Sequence, residues 1–178
     1  TGKTSVKDLI SSILGGLGSV HATKGNFNNH IGVPLTLLDM PQDSDFAVVE
    51  MGASAASEIG YLCSIAKPQI SLINNVQTAH LEGFGSVAGI AAAKGEIYSG
   101  LDAAGIAILN LDQSWEAEWM ELIGDRECIT FSVDDDCADI SASDIELLEN
   151  GCCRFTLHIF TDTSVESQVV NLAIPGRH

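Results

Sequence analysis

The chain has 178 residues, 46% hydrophobic and 18% charged, a composition that fills a folded core and excludes a disordered tail or a coiled coil. A formal net charge of −16 excludes a protein that works by gripping the phosphate backbone of a nucleic acid or an anionic membrane. The excess is uneven. Residues 1–100 carry five basic and eight acidic side chains, and residues 101–178 carry three and sixteen. Anion-binding chemistry is therefore expected in the first part and a solvated acidic surface in the second.

Residues 3–15 read as a helix, because Val6, Leu9, Ile10, Ile13 and Leu14 recur at three- and four-residue steps before Gly15-Gly16 stops them. A short strand over 19–22 enters the polar loop from Thr23 to His30. A second helix begins at Gly32-Val33-Pro34, with proline tolerated in the first turn. The apolar run Phe46-Ala47-Val48-Val49 predicts a buried, central parallel strand that delivers Glu50 at its C-terminal edge. A helix near 57–66 leads to a strand over 70–74. A loop carrying His80 and Glu82 then precedes an alanine-rich helix near 86–99 that holds Lys94. Strand 106–109, helix 114–123 and strand 128–132 continue the alternation.

After Asp134-Asp135-Asp136 the pattern changes to strands over 138–148, 152–160 and 165–174. They are joined by Asn150-Gly151, a strong hairpin signal, and by residues 161–164. The predicted class is α/β: a mostly parallel sheet with helices on both faces over 1–133, then a small antiparallel β section over 134–178.

Five cysteines, an odd number with no C-x-x-C spacing and with Cys152 next to Cys153, suit neither a zinc site nor a regular disulfide framework. They are expected to be reduced core or strand residues of a cytoplasmic protein. No apolar run approaches the ~18 residues of a membrane span, and no signal peptide is expected. The abrupt Thr1-Gly2-Lys3-Thr4 start and Pro175-Gly176-Arg177-His178 end read as cuts through motifs, so a fragment of a longer protein is expected.

Gly2-Lys3-Thr4 ahead of an amphipathic helix is the last third of G-x-x-x-x-G-K-[ST]. Glycine lets backbone N–H groups close on phosphate oxygens, lysine offsets β/γ-phosphate charge, and the threonine hydroxyl reaches Mg²⁺. The helix N-terminus adds partial positive charge. In open α/β sheets ligands sit beyond the carboxyl ends of the strands, where Glu50, Asn74-Asn75 and His80 fall. Glu50 is the natural source of an acidic oxygen for a nucleotide's Mg²⁺. Taken alone, His80 reads more often as a loop histidine bonded to backbone than as a metal ligand, and Lys94 reads by default as a solvated lysine.

Together these segments resemble the Mur ligases, most nearly the branch that joins D-alanyl-D-alanine to UDP-MurNAc-tripeptide. The resemblance rests on Gly2-Lys3-Thr4, the stretch from Gly25 to Leu38 (Gly-Asn-Phe-Asn-Asn-His-Ile-Gly-Val-Pro at its start), Val49-Glu50-Met51-Gly52-Ala53 and Asn74-Asn75. It continues through the stretch from His80 to Ser86 (His-Leu-Glu-Gly-Phe-Gly-Ser), Ala93-Lys94-Gly95-Glu96-Ile97 and Pro175-Gly176-Arg177-His178.

The resemblance implies the central ATP-binding domain, residues 1–178, of a three-domain monomeric enzyme of peptidoglycan synthesis, with the amino- and carboxy-terminal domains absent. It implies phosphate contacts from Gly2, Lys3, Thr4, Asn74, Asn75 and Arg177, and catalytic roles for Lys3, Glu50, His80 and Lys94. Metal binding would fall to Thr4, Glu50, His80 and a carbamylated Lys94, and substrate contact to Asn26, Asn28 and Asn29. ATP and Mg²⁺ are the implied cofactors, and UDP-MurNAc-tripeptide and D-alanyl-D-alanine the partners. One segment departs from the pattern. Where relatives read Gly-Ala-Asn-x-x-Gly-Glu-Ile, this chain has Gly52-Ala53-Ser54-Ala55-Ala56-Ser57-Glu58-Ile59, which removes the side chain expected at position 54. Two other readings stay open from sequence: a folylpolyglutamate or cyanophycin synthetase type of ligase, and a P-loop module that binds nucleotide without ligating.

Overall fold

The computed structural model describes residues 2–77, 81–161 and 163–175. Helix α1 (Lys3–Leu14) opens the chain, followed by β1 (Val20–Ala22), α2 (Gly32–Leu38), β2 (Phe46–Val48), α3 (Glu58–Ala66) and β3 (Ile70–Leu72). Then come α4 (Leu81–Phe84), α5 (Val87–Ser99), β4 (Ile106–Asn110), α6 (Glu116–Ile123), β5 (Glu127–Ser132), β6 (Ile140–Leu147), β7 (Cys152–Phe160) and β8 (Val165–Pro175). The α/β alternation and the final antiparallel strands therefore follow the sequence reading.

The strands form a parallel pair, β1-β2, and a six-stranded sheet in the order β3-β4-β5-β6-β7-β8. From β3 to β6 the pairing is parallel, and β6-β7-β8 is antiparallel. Asn150-Gly151 closes the β6–β7 hairpin: the Leu148 amide donates to the Cys152 carbonyl at 2.8 Å, and Gly151 sits at φ 79°.

One expectation is corrected. The Phe46–Val49 run predicts a buried, central strand, yet β2 pairs only with β1 among the described residues, and Ala47 is exposed. An apolar run reports what a strand can bury, and β2 has one hydrogen-bonded neighbour to bury it against. Among the described residues β3 likewise has one strand neighbour, β4; Ile70 is exposed and the buried Ser71 hydroxyl lacks a hydrogen-bond partner there. Another difference is α4, a single helical turn in a stretch read as loop.

Two apolar clusters hold the elements together. In one, α5 and α6 cover β3 and β4 through Ile73, Ala91, Tyr98, Leu101, Leu109, Trp119 and Ile123. Its two aromatics bury their polar atoms with partners: Tyr98 donates to the Ile108 carbonyl at 2.8 Å and Trp119 to the Ala91 carbonyl at 3.1 Å. In the other, Val33 of α2 packs on Ile59, Leu62 and Cys63 of α3, with Ile97 of α5 alongside, so α5 belongs to both. Arg126 closes the far end, giving its guanidinium to the main-chain carbonyls of Leu101 (3.0 Å) and Ile123 (2.8 Å).

All five cysteines are free thiols. Four are core or strand residues, as read, but Cys137 is exposed in the turn before β6, which corrects its assignment. Among the described residues no helix is long and apolar enough to cross a membrane.

Candidate nucleotide site

The exits of β2 and β3 and the start of α1 meet at one place. Gly2 takes the left-handed conformation (φ 79°, ψ 1°) and caps α1. A Cβ there would also lie 3.1 Å from the Asn74 side chain, so both its backbone freedom and its lack of a side chain are used. The turn that follows places Lys3 and Thr4 in the first turn of α1, exposed, with their amides at the positive end of the helix.

Thr4 and Glu50, 46 positions apart, are joined: the Thr4 hydroxyl donates to Glu50 Oε2 at 2.9 Å. Asn28 Nδ2 donates to the other oxygen, Oε1, at 2.8 Å, and the Glu50 amide donates to Thr23 Oγ1 at 2.9 Å. The carboxylate is 7% exposed, and both its oxygens are engaged, so its orientation is set by its surroundings. A threonine hydroxyl and a carboxylate at a helix N-terminus form a hard-oxygen donor set, and these residues fit Mg²⁺ carried on phosphate oxygens.

Lys94 is not a solvated lysine. It is half-buried and donates its ammonium to the Asn75 carbonyl at the β3 exit. Burial first, and the nearby charge of Lys3 second, hold its pKa below the usual lysine value. That coupling brings Lys3 and Lys94 to one locality. Asn74 belongs to the same edge, its carbonyl receiving Asn110 Nδ2 at 2.9 Å.

The three loop asparagines divide. Asn28 serves Glu50. Asn29 Oδ1 accepts from the amides of Ile31 (3.1 Å) and Gly32 (2.8 Å) and so starts α2. Asn26 is exposed. His80 and Arg177 lie outside the described residues.

Several site residues escaped the sequence reading. Thr23 and Asn110 are buried supports for Glu50 and Asn74. Lys7 is 9% exposed, ties α1 to β1 by donating to the Thr23 carbonyl at 2.8 Å, and pairs with Asp8 at 2.8 Å. The available signal was its position four residues after Lys3, which puts both on one helix face.

The family model of the Mur ligase middle domain matches residues 1–178. The chain belongs to the Mur ligase middle-domain family. It is 45% identical over all 178 residues to the UDP-N-acetylmuramoyl-tripeptide–D-alanyl-D-alanine ligase of Escherichia coli, covering 100% of this chain and 38% of that protein. Its fold superposes on a crystal structure of MurF from Acinetobacter baumannii with a TM-score of 0.90 and 36% identity, covering all of this chain and 37% of the other. MurF ligase from Thermotoga maritima, crystallised with ADP, gives a TM-score of 0.79 at 28% identity over 96% of this middle domain and 38% of that chain. The domain thus spans little more than a third of the length of these relatives.

Proposed function

We propose that this chain is the nucleotide-binding middle domain, residues 1–178, of an ATP-dependent ligase that joins D-alanyl-D-alanine to UDP-MurNAc-tripeptide in peptidoglycan synthesis. Residues 1–133 carry the nucleotide chemistry and 134–178 an antiparallel extension. The observation that carries this reading is the Thr4–Glu50 hydrogen bond at the N-terminus of α1, in a chain whose 178 residues are 45% identical to the matching 38% of such a ligase.

The chemistry follows from charge. The peptide carboxylate must attack the γ-phosphorus of ATP, breaking the β–γ bridging bond to release ADP and forming an acyl phosphate. The free amine of D-alanyl-D-alanine then adds to the acyl carbon and loses a proton, and phosphate leaves as the amide forms. Two anions approach in the first step, so positive groups must be in place beforehand. Lys3 and the α1 amides supply fixed positive charge at the phosphates. Mg²⁺, held through Thr4 and Glu50 and by His80 in the family pattern, would offset the charge gathering on the γ-phosphate oxygens.

Asn28 keeps Glu50 aimed, and Asn74 and Asn75 line the nucleotide edge with Arg177. Asn26 and Asn29 border the sugar-peptide substrate. Lys94 has a separate use in the resemblance: as a free amine it captures CO₂ to form a carbamate, and its lowered pKa increases the amine fraction. The enzyme acts as a cytoplasmic monomer. The middle domain alone binds nucleotide and does not ligate, because closure of the flanking domains completes the site.

The test is a coupled ADP-release assay on the full-length enzyme, offering UDP-MurNAc-tripeptide with D-alanyl-D-alanine against glutamate and folate acceptors. Product with the dipeptide alone is expected. ADP release that follows a folate or another amine acceptor overturns the assignment, and nucleotide binding with no acceptor-dependent turnover reduces it to a binding module.

A further inference from the structure

Helix α5 touches two regions through two faces. Lys94 reaches the β3 exit, while Glu96, two residues on and therefore on a different side of the helix, turns to the start of α3. Glu96 Oε1 accepts the Ser57 amide at 2.6 Å and Oε2 the Gly60 amide at 2.9 Å. Ser57 caps α3 without using its own side chain and adopts φ 69°, a left-handed conformation costly for a residue with a Cβ. The carboxylate of Glu96 thus performs the capping that Ser57 does not.

The segment held this way begins at Glu50. Residues 52–57 run from the site carboxylate to α3, anchored at one end by the Gly52 amide on the Asn28 carbonyl (2.7 Å) and at the other by Glu96. Glu58 fastens the middle, accepting the Ser54 amide at 2.7 Å. The carbonyl of Ser54 abuts α4: a Cβ on Gly83 would stand 2.0 Å from it. The 52–57 loop is therefore the shared wall between the exit of β2 and the segment that α4 opens.

We infer that Glu96 is a positioning residue of the nucleotide site, which sets the spacing between Glu50 and Lys94 by fastening the 52–57 loop to α5. The inference rests on the nucleotide reading above. Both carboxylate oxygens of Glu96 are taken by main-chain amides. Glu96 acts through these amides, and its loss leaves each site side chain present but imperfectly placed.

The test compares wild type, Glu96→Gln and Glu96→Asp in the 178-residue chain by amide exchange and by calorimetric titration of ATP at stepped Mg²⁺ concentrations. Gln retains one acceptor for two amides, and Asp retains two oxygens on a shorter stem. Faster exchange is expected at Ser57, at Gly60 and through 52–55 in the Gln variant, with an Mg²⁺ half-saturation raised about fivefold and partly restored in the Asp variant. Glu96→Gln with Ser57→Gly should recover part of the loss, since glycine holds φ 69° without help. The double variant also serves if the single one does not fold.

Exchange that quickens only at 57 and 60, with unchanged Mg²⁺ dependence, overturns the inference and leaves Glu96 a helix cap. Absence of ATP binding by the wild type overturns the nucleotide reading instead. The exchange pattern still decides whether Glu96 fastens the loop.

Discussion

Thr4 and Glu50 share a 2.9 Å hydrogen bond across 46 positions, and that bond joins the start of α1 to the exit of β2. A hydroxyl that donates to a buried carboxylate keeps its own lone pairs turned outward, toward the end of the helix where anions are favoured. Substituting Glu50→Gln should weaken Mg²⁺-dependent ATP binding at least tenfold, about 1.4 kcal/mol, and change the midpoint of thermal unfolding little. Titration calorimetry with and without EDTA reads the effect. Equal affinity in the variant would remove Glu50 from the site.

Ser57 stands where the family pattern has glycine, and it adopts φ 69°. Ser57→Gly should stabilise the fold by about 1 kcal/mol, with a higher urea midpoint and an unchanged m-value. A lower midpoint would mean that the serine side chain contributes more than its backbone costs.

Gly83 faces the Ser54 carbonyl with no room for a Cβ at 2.0 Å. Gly83→Ala must push α4 away from the 52–57 loop, at a cost of about 1–3 kcal/mol. Loss of ATP affinity should accompany the drop in unfolding free energy. A variant as stable as wild type would show that α4 and the loop part easily.

Lys94 carries a pH signature. Its folded pKa is lowered from 10.5 by burial and by Lys3, so between that lowered value and 10.5 the unfolded chain binds more protons than the folded one. Stability therefore rises with pH through this window, and the penalty for the buried charge is present in full below it. Lys94→Met should flatten the rise, measured as urea midpoints at stepped alkaline pH. A slope unaffected by the substitution would count against a charged, half-buried Lys94.

Burial pushes the Cys63 thiol up to about 11, while Cys137 is exposed but held up by the charge of Asp135. Native-state alkylation should modify Cys137 first and leave Cys63, Cys152 and Cys153 intact. Added salt should speed the reaction by screening Asp135 and Asp136. Mass spectrometry of the labelled peptides checks both, and early modification of Cys63 would contradict its burial.

Much of this was legible from residues. Gly2-Lys3-Thr4 announced a helix start, the Phe46–Val49 run announced Glu50 at a strand exit, and Asn150-Gly151 announced the hairpin. These are local signals, carried by the conformational needs of a few adjacent residues. Glu96 was illegible in role because its partners, Ser57 and Gly60, are main-chain amides more than thirty positions away. No side-chain type marks which amide a carboxylate will find. Lys94 taken alone reads as solvated for a similar reason, since only the packing of α5 beside β3 takes it out of water. The exposure of Ala47 in β2 could not be read from the apolar run, because a strand's composition does not record how many neighbours pair with it.

Arg126 has a consequence at longer range. Its guanidinium is consumed by the carbonyls of Leu101 and Ile123, so one of three cations in a half bearing sixteen acids is turned inward. A polyanion is thus repelled by that half, while the exposed Lys3 at the start of α1 lies in the other. Association of ATP should therefore quicken at moderate salt before the bound state weakens, as stopped-flow binding at stepped ionic strength would read.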